Sequence, residues 1–266
     1  MDAESTKAIA YSGKLMSAAI DVVGAAKVEL SQDWARDPKI VGLTILCRSI
    51  SNFRAAMLLV QQRHVTEARA LGRCLYENLL WMGALRERGL DFVQDMLKDE
   101  AFNRQSLGEL TLRLSKKHGA DVSSPDSLTL RSIIKDIGKK FPETKKLNAS
   151  KTAAEGAVET AYVEYARLSL DGVHCSVTAL GRHLSREQIA ENRTELVVSV
   201  EARTLDAEIL STILHSCRAL MGVAVGANEI LGFTTVSAQL GAMVTEFEKN
   251  GWGARAEAAS VARRAD

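Results

Sequence analysis

Aromatic residues make up only 5% of this 266-residue chain, and it has just three prolines. Sheets draw heavily on aromatic and β-branched side chains, so this scarcity argues against a sheet-built core. Cysteine is also sparse: Cys47, Cys74, Cys175 and Cys217 stand singly, with no C-x-x-C pair. That pattern excludes a paired-thiolate zinc site or a dithiol redox motif. Charge of one sign is missing too, because the formal balance is +1. No global field therefore pulls the chain toward nucleic acid or a membrane. No uncharged apolar run reaches the roughly 20 residues that span a bilayer, and the acidic start, Met1-Asp2-Ala3-Glu4, is unlike a secretory signal. Single thiols without a targeting segment point to a cytoplasmic protein with no membrane partner. H-E-x-x-H, P-loop, G-x-S-x-G and dinucleotide glycine patterns are absent, as is Glu-x-x-His. Neither a metal nor a cofactor is expected.

What is abundant is Ala, Leu, Glu, Arg and Lys, all good helix formers. Apolar residues recur at spacings of three, four and seven from Ser5 to Trp34 (Ile9, Leu15, Met16, Ala19, Ile20, Val23, Val28), predicting a first helix. Asp37-Pro38 caps a second, running to Arg63. A third spans Thr66 to Arg88 and stops at Gly89. It is apolar nearly all round, which belongs in the middle of a bundle, and Gly72 and Gly83 would let neighbours approach. Further helices are predicted over Leu90–Lys117, from Ser124-Pro125 to Phe141, from Thr152 to His183, over Leu205–Leu231 and over Val236–Asn250. Residues 194–202, with Leu196-Val197-Val198-Ser199-Val200, are the one short strand-like or irregular segment. The expected fold is all-α, an antiparallel multi-helix bundle: a single domain over residues 1–250, then a flexible tail over 251–266. Between Arg113 and Lys146 nine Lys or Arg stand against four Asp or Glu, with Phe141 the lone aromatic. Base stacking has almost nothing to work with there, so a solvated charged face is the first reading.

The Thr152–His183 helix carries the most informative pattern. At 100° per residue, Glu164, Arg167, Asp171, His174 and Thr178 share one arc. Arg167 and His174 lie two turns apart and could converge on one anion, the imidazole moving a proton and the guanidinium stabilising negative charge. His174, Arg167 and Asp171 are therefore the candidate catalytic residues. The plain alternative is a wet helix face whose charge pairs are worth about 0.2–0.5 kcal/mol each. Asp171-Gly172 counts against it, since glycine inside a helix is costly unless something requires it. Arg69, Arg73 and Glu77, at i, i+4 and i+8 of the third helix, are candidate binding residues. If buried, they must be paired.

Two blocks taken together, Ala68-Arg69-Ala70-Leu71-Gly72-Arg73-Cys74-Leu75-Tyr76-Glu77 and Tyr165-Ala166-Arg167-Leu168-Ser169-Leu170-Asp171-Gly172-Val173-His174-Cys175-Ser176, resemble a widespread bacterial all-helical family of unknown function. The resemblance implies a helical fold, points to Arg73, Glu77 and His174, and implies no activity. Arg167 and His174, with six residues between, also resemble the signature of the HEPN ribonucleases. There the arginine and histidine cleave RNA without metal, often across a dimer interface. Leu168 departs from that pattern, which has a polar residue at this position. Two functions follow as expectations. One is a HEPN-like metal-independent ribonuclease or phosphate-handling protein of a bacterial defence or toxin system, with RNA as partner. The other is a non-enzymatic helical scaffold that binds a partner protein or itself as a homodimer.

Overall fold

The computed structural model describes residues 2–29, 33–121, 123–156, 158–174 and 176–254. Ten α-helices are seen among the described residues: α1 (Ala3–Ala25), α2 (Pro38–Gln61), α3 (Val65–Arg88), α4 (Leu90–Lys117), α5 (Pro125–Lys140), α6 (Ala149–Ala154), α7 (Ala161–Gly172), α8 (Val177–Leu180), α9 (Asp206–Ile230) and α10 (Ser237–Lys249). One antiparallel hairpin, β1 (Leu184–Ala190) and β2 (Arg193–Val198), interrupts them. The fold is an all-α bundle.

Local chemistry explains the boundaries. The Asp37 carboxylate accepts the Lys39 amide at 2.7 Å ahead of Pro38. Gly89 takes φ +51°, a left-handed geometry that ends α3 and that glycine adopts without steric cost. Two helices differ from the sequence expectation. Helix α1 stops at Ala25, since past Val23 the apolar stripe keeps only Val28; Trp34 instead sits in a short 3-10 turn. The continuous helix expected over Thr152–His183 is three pieces, α6, α7 and α8. Gly156 lies within the first break. The Ser176 hydroxyl caps α8 by accepting the Ala179 amide at 3.1 Å, so a local serine cap outcompetes helix continuation.

Helices α2, α3 and α9 form the centre, with α1, α7 and α10 packed around them. As the all-round apolar pattern of α3 predicts, it meets neighbours on several sides, and a Cβ on Gly83 would lie 2.7 Å from Val158. Leu46, Phe53, Leu75, Leu80, Ile213 and Leu220 are fully or almost fully buried. Helix α5 packs on α4 and has no buried residue, which fits the solvated reading of its basic face. Helices α2 and α9 are long and apolar enough to cross a membrane by length and composition, but their most apolar stretches are 44% and 72% buried inside the protein. A central bundle helix has the same composition.

The hairpin starts ten residues before the strand-like segment expected at 194–202, with Leu184 opposite Val198 and Glu187 opposite Glu195. Its first strand, Leu-Ser-Arg-Glu-Gln-Ile-Ala, has too few apolar residues to announce itself. At the start of the expected tail, Trp252 is fully buried, stacks edge-on against Tyr11 at 5.1 Å and donates its indole N–H to Glu4 at 2.7 Å. Residues 255–266 of that tail lie outside the described residues.

Candidate functional site

Three helices bring the charged side chains together. Helix α3 supplies Arg69, Arg73 and Tyr76; α7 supplies Glu164, Tyr165, Arg167 and Asp171; α9 supplies Glu208, Thr212, His215 and Arg218. Arg69, 4% exposed, pairs with Asp171, lies 3.6 Å from Glu208 and donates its Nε–H to the Thr212 hydroxyl at 3.1 Å. Arg182, just past α8, forks across the same two acids. Its Nε and Nη2 donate to Asp171 at 3.1 Å each, and its Nη1 and Nη2 donate to Glu208 at 3.0 and 2.9 Å. Two guanidiniums and two carboxylates thus alternate in a closed, nearly dry lattice. Each charge has opposite charges beside it, which burial of ions demands.

Burial alone would raise the Glu208 carboxyl, but the Arg182 hydrogen bonds, the Leu205 amide and the Arg69 charge overcome it and hold it below the ordinary carboxylate range. A carboxylate depressed in the folded state contributes stability above its unfolded pKa and loses it as pH falls through the folded one. The melting temperature of the wild type is therefore expected to fall more steeply than that of Glu208→Gln between about pH 5 and about pH 2. Parallel acid limbs would show that Glu208 contributes nothing to the pH dependence.

A second group adjoins the lattice. Both Glu164 oxygens accept from Arg167 Nη1, at 3.0 and 3.1 Å. His215 Nδ1 lies 3.6 Å from Glu164 and 3.4 Å from the buried Tyr76 hydroxyl. Burial first, then the Glu164 charge, pushes the Tyr76 hydroxyl up, so it stays protonated. A third group occupies another face of α7. There Arg73 donates to the Tyr165 hydroxyl at 2.6 Å, to Glu77 at 3.2 Å and to Ser169 at 3.4 Å, and stacks 4.8 Å over the Tyr165 ring. Burial works against the Arg73 charge, but Glu77 and Tyr165 outweigh it and raise its pKa.

The predicted residues are therefore divided. Arg69 joins Asp171, and Arg73 joins Glu77 as the i,i+4 spacing implies, but the second pair faces Tyr165 and Ser169 rather than the His174 stripe. The arc drawn through Glu164, Arg167, Asp171, His174 and Thr178 does not survive as one helix face, because α7 ends at Gly172. His174 sits in the exposed connection that follows, its amide donating to Ser169 O at 3.1 Å, while Arg167 turns back to Glu164. Among the described residues, no group of three or more His, Cys, Asp or Glu is arranged to hold a metal ion.

Residues 39–192 match the family of unknown function DUF5677. The chain belongs to that family. No curated protein and no solved structure matches it. The DUF5677 region runs from α2 to the hairpin turn and contains Arg69, Arg73, Glu77, Glu164, Arg167, Asp171 and Arg182. Helix α9, with Glu208 and His215, lies beyond it.

Sequence reasoning missed Arg182, Glu208, His215 and Tyr76. Arg182 was hidden inside a helix assumed to be continuous. Glu208 carries a faint signal, an acid at the third position of a helix, where it caps the Leu205 amide at 3.1 Å. His215 could have been found as an ionisable group inside the apolar run Ile213-Leu214-His215-Ser216-Cys217. Beside Glu164 a cleft of about 610 Å³ opens between α3, α7, α9 and α10. The smaller hollow over Arg69, Asp171 and His215 has a volume of about 20 Å³, too little for a substrate.

Proposed function

We propose that this DUF5677 protein is a non-enzymatic helical scaffold, and that its polar centre serves to fix the bundle. One observation carries this reading: Arg69, Asp171, Arg182 and Glu208 pair with one another, and the hollow beside Arg69 and Asp171 holds only about 20 Å³. A catalytic centre leaves acid, base and anion-stabilising groups facing a reacting atom; this lattice encloses none. Exposed apolar residues on α7 and the turn after it, Val163, Leu170 and Val173, give a partner protein a surface. The free thiols of Cys47, Cys74 and Cys217 suit a cytosolic setting.

The competing reading is the HEPN-like ribonuclease or phosphate-handling enzyme of a bacterial defence or toxin system. It assigns Arg167 as the phosphate clamp and His174 as the general acid and base. Against it stand the engagement of Arg167 by Glu164 and the position of His174 past the end of α7. Leu168, where the ribonuclease signature has a polar residue, is buried in the core. Incubating single-stranded and structured RNA with the wild type, His174→Ala and Arg167→Ala is expected to give the same background cleavage in all three. Cleavage by the wild type that disappears in His174→Ala would overturn the scaffold reading.

A further inference from the structure

We infer that a hollow between α3, α7 and the connection leading into α6 binds a small aromatic anion, a flat ring system carrying one carboxylate or phosphate. It lies on a different face of α7 from the ion-pair lattice, so binding there neither requires nor contradicts the scaffold role. Local sequence builds the hollow. Arg73, Glu77 and Trp81 follow at four-residue intervals on α3, and Tyr162 and Tyr165 stand three apart on α7, so each helix lends one face. Lys146 and Leu147 close a third side. The volume is about 330 Å³, at the small end of ligand sites and sized for one ring system rather than a polymer.

Two features select the occupant, and the first is the wall. Of the four tyrosines, Tyr11 and Tyr76 are buried in the core. The other two line this hollow, half-buried, with ring centroids 5.8 Å apart and planes 26° from parallel. Trp81, backed by Phe92 at 5.9 Å, joins them. Arg73 stiffens the wall by stacking over the Tyr165 ring and donating to its hydroxyl and to Glu77. Partly exposed rings held at fixed angles suit a further flat ring, which stacks on them better than an aliphatic body of the same size.

The second feature is the sign of the charge. Glu77 already pairs with Arg73 at 3.2 Å, so those two residues contribute no net charge. Lys146, exposed beside them, makes no ion pair among the described residues. From Lys139 to Lys151 five lysines stand against one acid, Glu143. Asp99, an acid that meets this connection, spends its oxygens on the Leu147 amide at 2.7 Å and on Asn103 at 3.0 Å. Aromatic rings beside an unpaired carboxylate would suit an organic cation. Here the carboxylate is taken and the surrounding field is positive, which selects an anion.

Three probes separate ring from charge: 2-naphthoate, its saturated decalin analogue and 2-naphthylmethylammonium, each titrated calorimetrically into the full chain. The naphthoate is expected to bind about tenfold more tightly than either of the others. Lys146→Gln, at an exposed position, should remove most of the lead over the ammonium without disturbing the fold. Tyr162→Leu should bring the naphthoate down to the affinity of the decalin acid. Undetectable binding of the naphthoate overturns the inference, as does equal binding of either comparison probe. Naphthoate binding that persists unchanged in Lys146→Gln belongs to another cleft and also overturns it, whether or not Tyr162→Leu folds. Binding of a single-stranded oligoadenylate without binding of free naphthoate would do the same, assigning the rings to nucleic acid.

Discussion

Asp171→Ala is expected to destabilise the protein by about 3–5 kcal/mol, the range for removing one partner from a buried ion pair. Asp171 is shared by two guanidiniums, Arg69 and Arg182, whose side chains are 4% and 11% exposed. Without it, both guanidiniums lose a carboxylate partner at a site closed to water. For a chain of this size, such a loss lowers the melting temperature by on the order of 10 °C. The cause can be separated from lost packing. Arg69→Met combined with Asp171→Leu removes one charge of each sign, leaving Arg182 and Glu208 to pair. That double variant should recover most of the stability, because well-packed apolar replacements of a buried pair are often neutral or better. Chemical denaturation of the single and double variants is the measurement. An Asp171→Ala variant within about 1 kcal/mol of wild type, well below the range for such pairs, would mean that water or rearrangement rescues the lattice.

Gly172→Ala is expected to cost about 2–3 kcal/mol, at the upper end of ordinary overpacking. A Cβ built there would lie 2.8 Å from the Ala70 backbone nitrogen and 3.1 Å from both the Arg69 carbonyl carbon and the Thr66 carbonyl oxygen. These are backbone atoms of α3, which cannot swing aside as a side-chain tip would, so α7 must move off α3. The same movement pulls Asp171 away from Arg69, so the two effects reinforce each other. Glycine to alanine in an open helical position has the opposite sign, stabilising by up to about 1 kcal/mol. Gly13 in α1 meets nothing within 4 Å and serves as the control. Gly13→Ala should therefore raise the melting temperature while Gly172→Ala lowers it. A Gly172→Ala variant as stable as Gly13→Ala would remove the close-approach explanation.

The Asp171-Gly172 pair shows how far the sequence could be read. It stood out because glycine is expensive inside a helix, and its two halves turn out to do separate structural work: the carboxylate pairs across to α3, and the missing side chain lets the helices touch. The bundle was legible because the apolar stripes of α2, α3 and α9 are long and regular, and because Asp37-Pro38, Gly89 and Ser124-Pro125 mark real boundaries. The arc through His174 failed for a reason periodicity does not contain. The helical spacing runs from Glu164 to Thr178, yet α7 ends at Gly172 and the Ser176 hydroxyl caps a separate helix. Arg69 was visible as a charge that would need a partner if buried, and Asp171 as a candidate catalytic carboxylate. The partners of Arg69 lie more than 100 positions away, and no local pattern records that.

The lattice joins positions 69, 171, 182 and 208, so its last acid is synthesised long after its first arginine. Until α9 emerges and docks, both guanidiniums lack the Glu208 carboxylate. A chain stopped at residue 192, where the family match ends, would lack that carboxylate permanently and would also lack the apolar face of α9 on which α1, α2 and α3 rest. Completion of the bundle is therefore postponed to the final third of translation, when the helix that carries both the late glutamate and the shared apolar face is made.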